Sequence, residues 1–266
     1  MRFVSFIILS VLVFSGCGNG ESDMSQDSQR YHQKLLIPLY SYPFVDDTWG
    51  SVVSLKQNNP LLEITVIVNQ SNGNFTQQDS NYAEAIKLLS ENKVRVVGYV
   101  YTSYGERDIA QVQENIDHWK IFYQEYGLEG IFFDEVSNRS EDLEYYKNCS
   151  NYAKNSELGR VVLNPGAKVP QEYIDAEIAD IIVTRETTYE NATAASDFNT
   201  PSNGTQLGLL LYESAGVDMA RLSCSYAKEH AFGYLYATDD GFDGNPWDSL
   251  SSYLDATASM ALEGCD

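Results

Sequence analysis

The stretch Gly130-Ile131-Phe132-Phe133-Asp134-Glu135 passes from a glycine through three large apolar residues into two adjacent carboxylates. A short, continuous apolar run is the pattern of a strand covered on both faces, as in a parallel sheet under helices. Such a strand ends in two acids where its tip opens onto water or a ligand. Seven further stretches share its character. They are "KLLIPLYSYP" from Lys34, "EITVIVNQS" from Glu63, "VRVVGYVYTS" from Val94, "RVVLNPG" from Arg160, "ADIIVTRE" from Ala179, "LGLLLYES" from Leu207 and "FGYLYATDD" from Phe232.

Segments of helical period lie between these runs. "NYAEAIKLLSEN" sets Ala83, Ile86 and Leu89 on one stripe. "IAQVQENIDHWKIFYQEY" spaces Ile109, Val112, Ile116, Trp119 and Tyr123 by threes and fours. "SEDLEYYKNCSNYAKN" opens on Ser140 as an N-cap, and "DMARLSCSYAKEH" and "WDSLSSYLDATASMALEG" repeat the pattern. The fifth connection, "VPQEYIDAE", is short, and the sixth, "TTYENATAASDFNTPSNGTQ", reads as a long loop. Eight strand and helix alternations predict an α/β chain forming a single (β/α)8 TIM barrel over residues 34–266. A doubly wound open sheet is the alternative, but no Gly-rich phosphate loop follows the first strand.

The N-terminus carries one Arg and then a short apolar run from Phe3 to Phe14, too short to span a bilayer permanently. "FSGC" resembles a bacterial lipobox. The expectation is therefore a signal peptide over residues 1–16, lipidation at Cys17, a flexible tether over residues 17–33, and a protein of the cell envelope, lipid-anchored or secreted. An ordinary signal peptide with an incidental Cys17 remains the alternative. Of the remaining cysteines, Cys149, Cys224 and Cys265, the last two fall on the last two predicted helices. Those helices are neighbours in a closed barrel, so Cys224 and Cys265 are the expected disulfide, against three free thiols.

The net charge of −21 argues against nucleic acid as a partner. It suits a cationic or neutral ligand, such as a partly deacetylated amino-sugar polymer, and equally suits plain solubility.

In a barrel of this kind the site forms at the C-terminal ends of the strands. Those ends offer Tyr40, Asn69, Tyr99, Tyr101, Tyr104, Arg107, Asp134, Glu135, Asn164, Glu186, Glu213, Tyr236 and Asp239. Tyrosines, carboxamides and carboxylates stack on sugar rings and hydrogen-bond their hydroxyls. His32, His118 and His230 are the only histidines and none sits at a strand end, which disfavours a zinc site or a Ser-His-acid triad. Neither a metal nor another cofactor is expected. Carboxylates acting in pairs remain, which is the equipment of glycoside hydrolysis. Along the fourth strand, alternation sends Asp134 and Glu135 to opposite faces. Asp134 is expected to face the barrel axis, and Glu135 to lie at the rim, as a supporting acid or as a loop anchor.

"IPLYSYP", "GYVYTSYGER", "GIFFDE", "VVLNPG" and "YLYATDDGFDGNPWDSLSSYL" together resemble the spherulation-specific family 4 (spherulin-4-like) proteins, which include the endo-N-acetylgalactosaminidases of glycoside hydrolase family 135. The resemblance spans about residues 34–255. It implies a barrel that cleaves an amino-sugar polysaccharide, with catalytic acids at the ends of strands four and six. Carried over, these are Asp134, Glu135 and Glu186. Two departures stand out. The strand-two loop reads "NQSNGNF" after Val68, where the family pattern has Pro and a Gly-Pro-Gly. Arg185 replaces an apolar or aromatic residue before Glu186. The expected protein is a monomeric, exported, retaining endo-glycosidase with Asp134 as nucleophile, Glu186 as general acid/base and Glu213 as the rival for the second role. Its only membrane contact would be a lipid anchor. A non-catalytic polysaccharide-binding lipoprotein on the same barrel is the alternative.

Overall fold

The computed structural model describes residues 32–204, 206–216, 218–241 and 244–265. The expected signal peptide, Cys17 and all but the end of the tether lie outside the described residues. The elements alternate as β1 (Lys34–Leu39), α1 (Thr48–Asn58), β2 (Ile64–Val68), α2 (Ser80–Glu91), β3 (Arg95–Tyr101), α3 (Ile109–Tyr123), β4 (Leu128–Asp134) and α4 (Leu143–Asn155). They continue as β5 (Arg160–Leu163), α5 (Gln171–Asp175), β6 (Ile181–Thr188), α6 (Tyr189–Ala194), β7 (Leu207–Tyr212), α7 (Met219–Glu229), β8 (Tyr234–Ala237) and α8 (Leu254–Glu263).

The strands form a closed parallel barrel in sequence order, shut by pairing of Lys34 with Tyr234 and Leu35 with Leu235. The chain is a (β/α)8 barrel. Its strands read as continuous apolar runs because both of their faces are covered: every residue of β2 is buried. Helix α3 shows how closely the outer layer seats. Trp119 lies so near Gly98 on β3 that a Cβ there would stand 2.4 Å from the indole, while its Nε1–H donates to Tyr99 O at 2.9 Å. The N-terminal rim of the barrel is tied by Glu63, which meets Lys34 and Arg160 at 3.0 and 2.7 Å. Burial alone would raise the Glu63 carboxyl, but hydrogen bonds from Tyr234 and Lys34 and the charge of Arg160 bring it down to about 2.

Four local features differ from the pattern expected of the sequence. Helix α1 has no counterpart among the segments of helical period, and the sixth connection holds the short helix α6, whose cap Thr188 accepts from Asn191 N. Ser140 opens a 3-10 turn, Ser140–Asp142, so α4 begins at Leu143. Helix α8 starts at Leu254, not at Trp247. The end of β8 claims the intervening backbone: Asp239 accepts from Ser252 N at 2.9 Å and Tyr236 Oη from Ser251 N at 3.1 Å. The disulfide joins Cys224 on α7 to Cys265, which follows Gly264 at the end of α8, with their Cα atoms 5.3 Å apart. Cys149 is buried and free. Among the described residues no helix is long and apolar enough to cross a membrane.

Candidate active site

Pairing of β3 with β4 carries Tyr101 opposite Asp134 and sets both at the C-terminal mouth. Tyr99, two residues earlier on β3, donates from Oη to Asp134 Oδ2 at 2.6 Å. The strand pattern stops one residue later. Glu135 takes φ 52, a left-handed conformation that a non-glycine residue adopts only when its surroundings hold it there. Its carbonyl accepts from Tyr104 N at 2.7 Å, and Thr102 Oγ1 lies 2.8 Å away. Glu135 therefore leaves the strand sideways, at the rim, instead of pointing behind the barrel.

Asn164 follows β5, and its backbone N–H donates to Phe133 O at 2.8 Å. Its side-chain Oδ1 accepts from Gly166 N at 3.1 Å, which fixes the amide with Nδ2 as the donor. That one nitrogen donates to Asp134 Oδ1 at 2.8 Å and to Glu186 Oε2 at 2.6 Å. The two acceptor oxygens can lie no further apart than the sum of those lengths, about 5.4 Å. Gly166 makes the turn at φ 62, with Glu186 N donating back to its carbonyl at 2.9 Å.

On β6 an extra residue, Thr184, interrupts the pairing with β7 between Val183 and Arg185. Past this bulge Glu186 meets Asn164, while Arg185 turns to Asp197 O at 2.7 Å and over the Phe198 ring. The second oxygen of Glu186 accepts from Trp247 Nε1 at 3.3 Å. Trp247 is placed in turn by Tyr40 N, which donates to its carbonyl at 2.9 Å. Burial, then the charge of Asp134, raises the Glu186 carboxyl to about 7, against the lowering effect of the bonds from Asn164 and Trp247. The same surroundings push the Tyr40 hydroxyl well up, chiefly by burial and then by Asp134.

Asp134, Glu135, Asn164, Glu186, Tyr104 and Tyr212 line a cavity of about 320 Å³. A second cavity, of about 540 Å³, shares Glu135 and adds Tyr99 and Tyr101. Other residues expected to bind substrate serve elsewhere. Arg107 holds Tyr101 O and Asn115, stacked on the Tyr101 ring. Asn69 exchanges hydrogen bonds with Asn72 and shapes the strand-two loop. Tyr236 is fully buried, and Asp239 and Glu213 are exposed and line neither cavity.

Trp247 is the site residue that sequence reasoning missed. The helical period of "WDSLSSYLDATASMALEG" takes it in, although the preceding Asn245-Pro246 marks a turn. Among the described residues no group of three metal-binding side chains converges. The site is a pair of carboxyl groups on one carboxamide, one of them holding its proton up to about pH 7.

Comparison with known proteins agrees with this architecture. The model of spherulation-specific family 4 matches residues 34–261. Spherulin-4 of Physarum polycephalum is 32% identical over 238 residues, which cover 85% of this chain and 69% of that protein. The crystal structure of Aspergillus clavatus Sph3 in complex with GalNAc superposes with a TM-score of 0.74 at 24% identity, covering 86% of this chain and 97% of the other. With the family model spanning the whole barrel, this chain belongs to spherulation-specific family 4.

Proposed function

We propose that this protein is an exported glycoside hydrolase that cleaves an amino-sugar polysaccharide, such as an N-acetylgalactosamine or galactosamine polymer, at internal bonds and with retention. The single observation that carries the reading is the carboxyl pair bridged by Asn164, with Glu186 raised to about 7. Retaining enzymes hold their two carboxyl groups ~5–5.5 Å apart and inverting enzymes ~6.5–9.5 Å. The shared donor holds Asp134 Oδ1 and Glu186 Oε2 no more than about 5.4 Å apart, which supports the shorter spacing over the inverting one.

In this mechanism Asp134 attacks the anomeric carbon as the glycosidic C–O bond breaks. Glu186 gives its proton to the departing oxygen, leaving a glycosyl ester on Asp134. The ionised Glu186 then takes a proton from water, which attacks the same carbon and frees Asp134. Tyr99 and Asn164 each hold one oxygen of Asp134, so the nucleophile meets the sugar in one orientation. Glu135 supports the pair from the rim.

The complex of Sph3 with GalNAc supports a 2-acetamido sugar in the cleft. The short apolar N-terminal run followed by "FSGC" supports export and a lipid anchor at Cys17, with a monomeric barrel outside the membrane. The test is release of reducing ends by the purified barrel from a panel of amino-sugar polymers. Release from an N-acetylgalactosamine-containing polymer is expected. Binding without release would make this a sugar-binding surface protein.

A further inference from the structure

The two cavities at the barrel mouth differ in chemistry, and Glu135 stands between them. The first is walled on one side by Pro165, Ala167 and Tyr212 beside the catalytic pair, a setting for a ring bearing an acetamido methyl. The second is lined by Ser71, Asn72, Asn74 and Ser103 with the tyrosines, and Glu135 is its one charged lining group. Among the described residues the Glu135 carboxylate accepts no hydrogen bond and enters no ion pair. The basic side chain of the facing loop, Arg107, is spent on Tyr101 O and Asn115.

A carboxylate on a cavity wall with no partner from the protein is open to a cationic ligand, and charge-assisted pairing is among the stronger hydrogen bonds. The backbone holds it there against its preference. Ser71, Asn72, Ser103 and Glu135 all take left-handed φ values, of 50, 55, 47 and 52, and all four line this one cavity. A net charge of −21 adds a long-range attraction for cationic polymers.

We infer that the second cavity is a subsite for a 2-amino-2-deoxy sugar whose nitrogen is free and protonated, with Glu135 receiving the ammonium. The substrate is then a partly de-N-acetylated polymer, cut where an N-acetylated residue in the first cavity adjoins a free-amine residue in the second. This inference rests on the glycosidase reading and goes further, because it fixes the acetylation pattern at the cleavage point. An acetamide in the second cavity would offer Glu135 one neutral N–H donor and no charge. An ammonium meets it with up to three donors, and the serine and asparagine oxygens accept the rest.

The test separates binding from catalysis by using Asp134→Asn, in which the new carboxamide can still accept from Asn164 and face Tyr99. Two probes are titrated calorimetrically at pH 6 and low salt: an N-acetylgalactosamine oligosaccharide and the same oligosaccharide partly de-N-acetylated. The de-N-acetylated probe is expected to bind at least about tenfold tighter, ~1.4 kcal/mol. That preference should shrink with added salt and vanish in Asp134→Asn/Glu135→Gln. Equal binding of the two probes, or a preference that survives Glu135→Gln, overturns the inference and leaves the glycosidase reading standing. Failure of both probes to bind overturns the substrate reading itself, and the inference with it.

Discussion

Asn164 donates to Glu186 at 2.6 Å through the same nitrogen that donates to Asp134 at 2.8 Å. One carboxamide therefore sets the spacing of both acids, and its own orientation is locked by Gly166 N on Oδ1. Neither acid is placed by its strand alone.

Replacing that carboxamide should cost rate without unfolding the barrel. Asn164→Ala is expected to lower kcat/KM by ~10²-fold, the order lost when reacting groups are misplaced by about 1 Å. It also removes a hydrogen bond that lowers the Glu186 pKa, so the alkaline limb of the pH profile should move upward. A drop in rate with an unmoved limb would mean that Asn164 only supports the loop. Circular dichroism of the variant gives the check on folding.

The position of that limb in the wild-type protein follows from Glu186. The general acid must carry a proton, and its carboxyl is raised from 4.5 to about 7. Activity should therefore fall as pH rises through about 7. The same shift links to stability with a defined sign. Between pH 4.5 and about 7 the folded protein holds a proton that the unfolded chain has lost, so stability falls as pH rises across that window. Glu186→Gln should flatten this slope and be the more stable protein at pH 8, measured by urea denaturation at each pH.

Glu213 is the rival carboxylate at the mouth. It is exposed, sits at φ 48 with its backbone N–H on Asp240 O, and lies outside both cavities. Glu213→Gln should keep near-full activity on a polymer substrate. If it loses activity while Glu186→Gln keeps it, the two roles are reversed.

The disulfide closes a loop across the last two helices, with a sequence separation of 41 between Cys224 and Cys265. A closure of that length is worth about 2–4 kcal/mol, so Cys265→Ser should lower Tm by ~5–15 °C. Calorimetry with and without a reductant gives the comparison, and an unchanged Tm would show that α7 and α8 hold by packing alone.

The barrel was legible because its strands are buried on both faces and announce themselves as short apolar runs. Asp134 and Glu186 were legible because strand ends in such a barrel are where charge becomes useful. What was hidden depended on departures from regular periods. The left-handed turn at Glu135 breaks the alternation that separates it from Asp134, and the extra residue at Thr184 decides that Glu186, not Arg185, faces Asn164. Trp247 was hidden by an apparent helical period. The loop that presents it is held by long-range bonds from Tyr40, Tyr236 and Asp239, which no local pattern records. Arg107 and Asn69 carried the right chemistry for a sugar, yet their donors are taken by neighbouring backbone and by Asn115 and Asn72.

The central claim is that Asp134 and Glu186 cleave a glycosidic bond as nucleophile and acid/base. Its most direct test is cleavage of a dinitrophenyl glycoside of an N-acetylgalactosamine oligosaccharide, read as released phenol and as the anomeric form of the sugar product, by wild type, Asp134→Ala and Glu186→Ala, each with and without added azide. Both variants should lose at least ~10³-fold in rate. Azide should restore turnover to each, yielding a glycosyl azide of inverted anomeric configuration from Asp134→Ala and of retained configuration from Glu186→Ala. Undiminished release by either variant, or one anomer from both, would contradict the assignment.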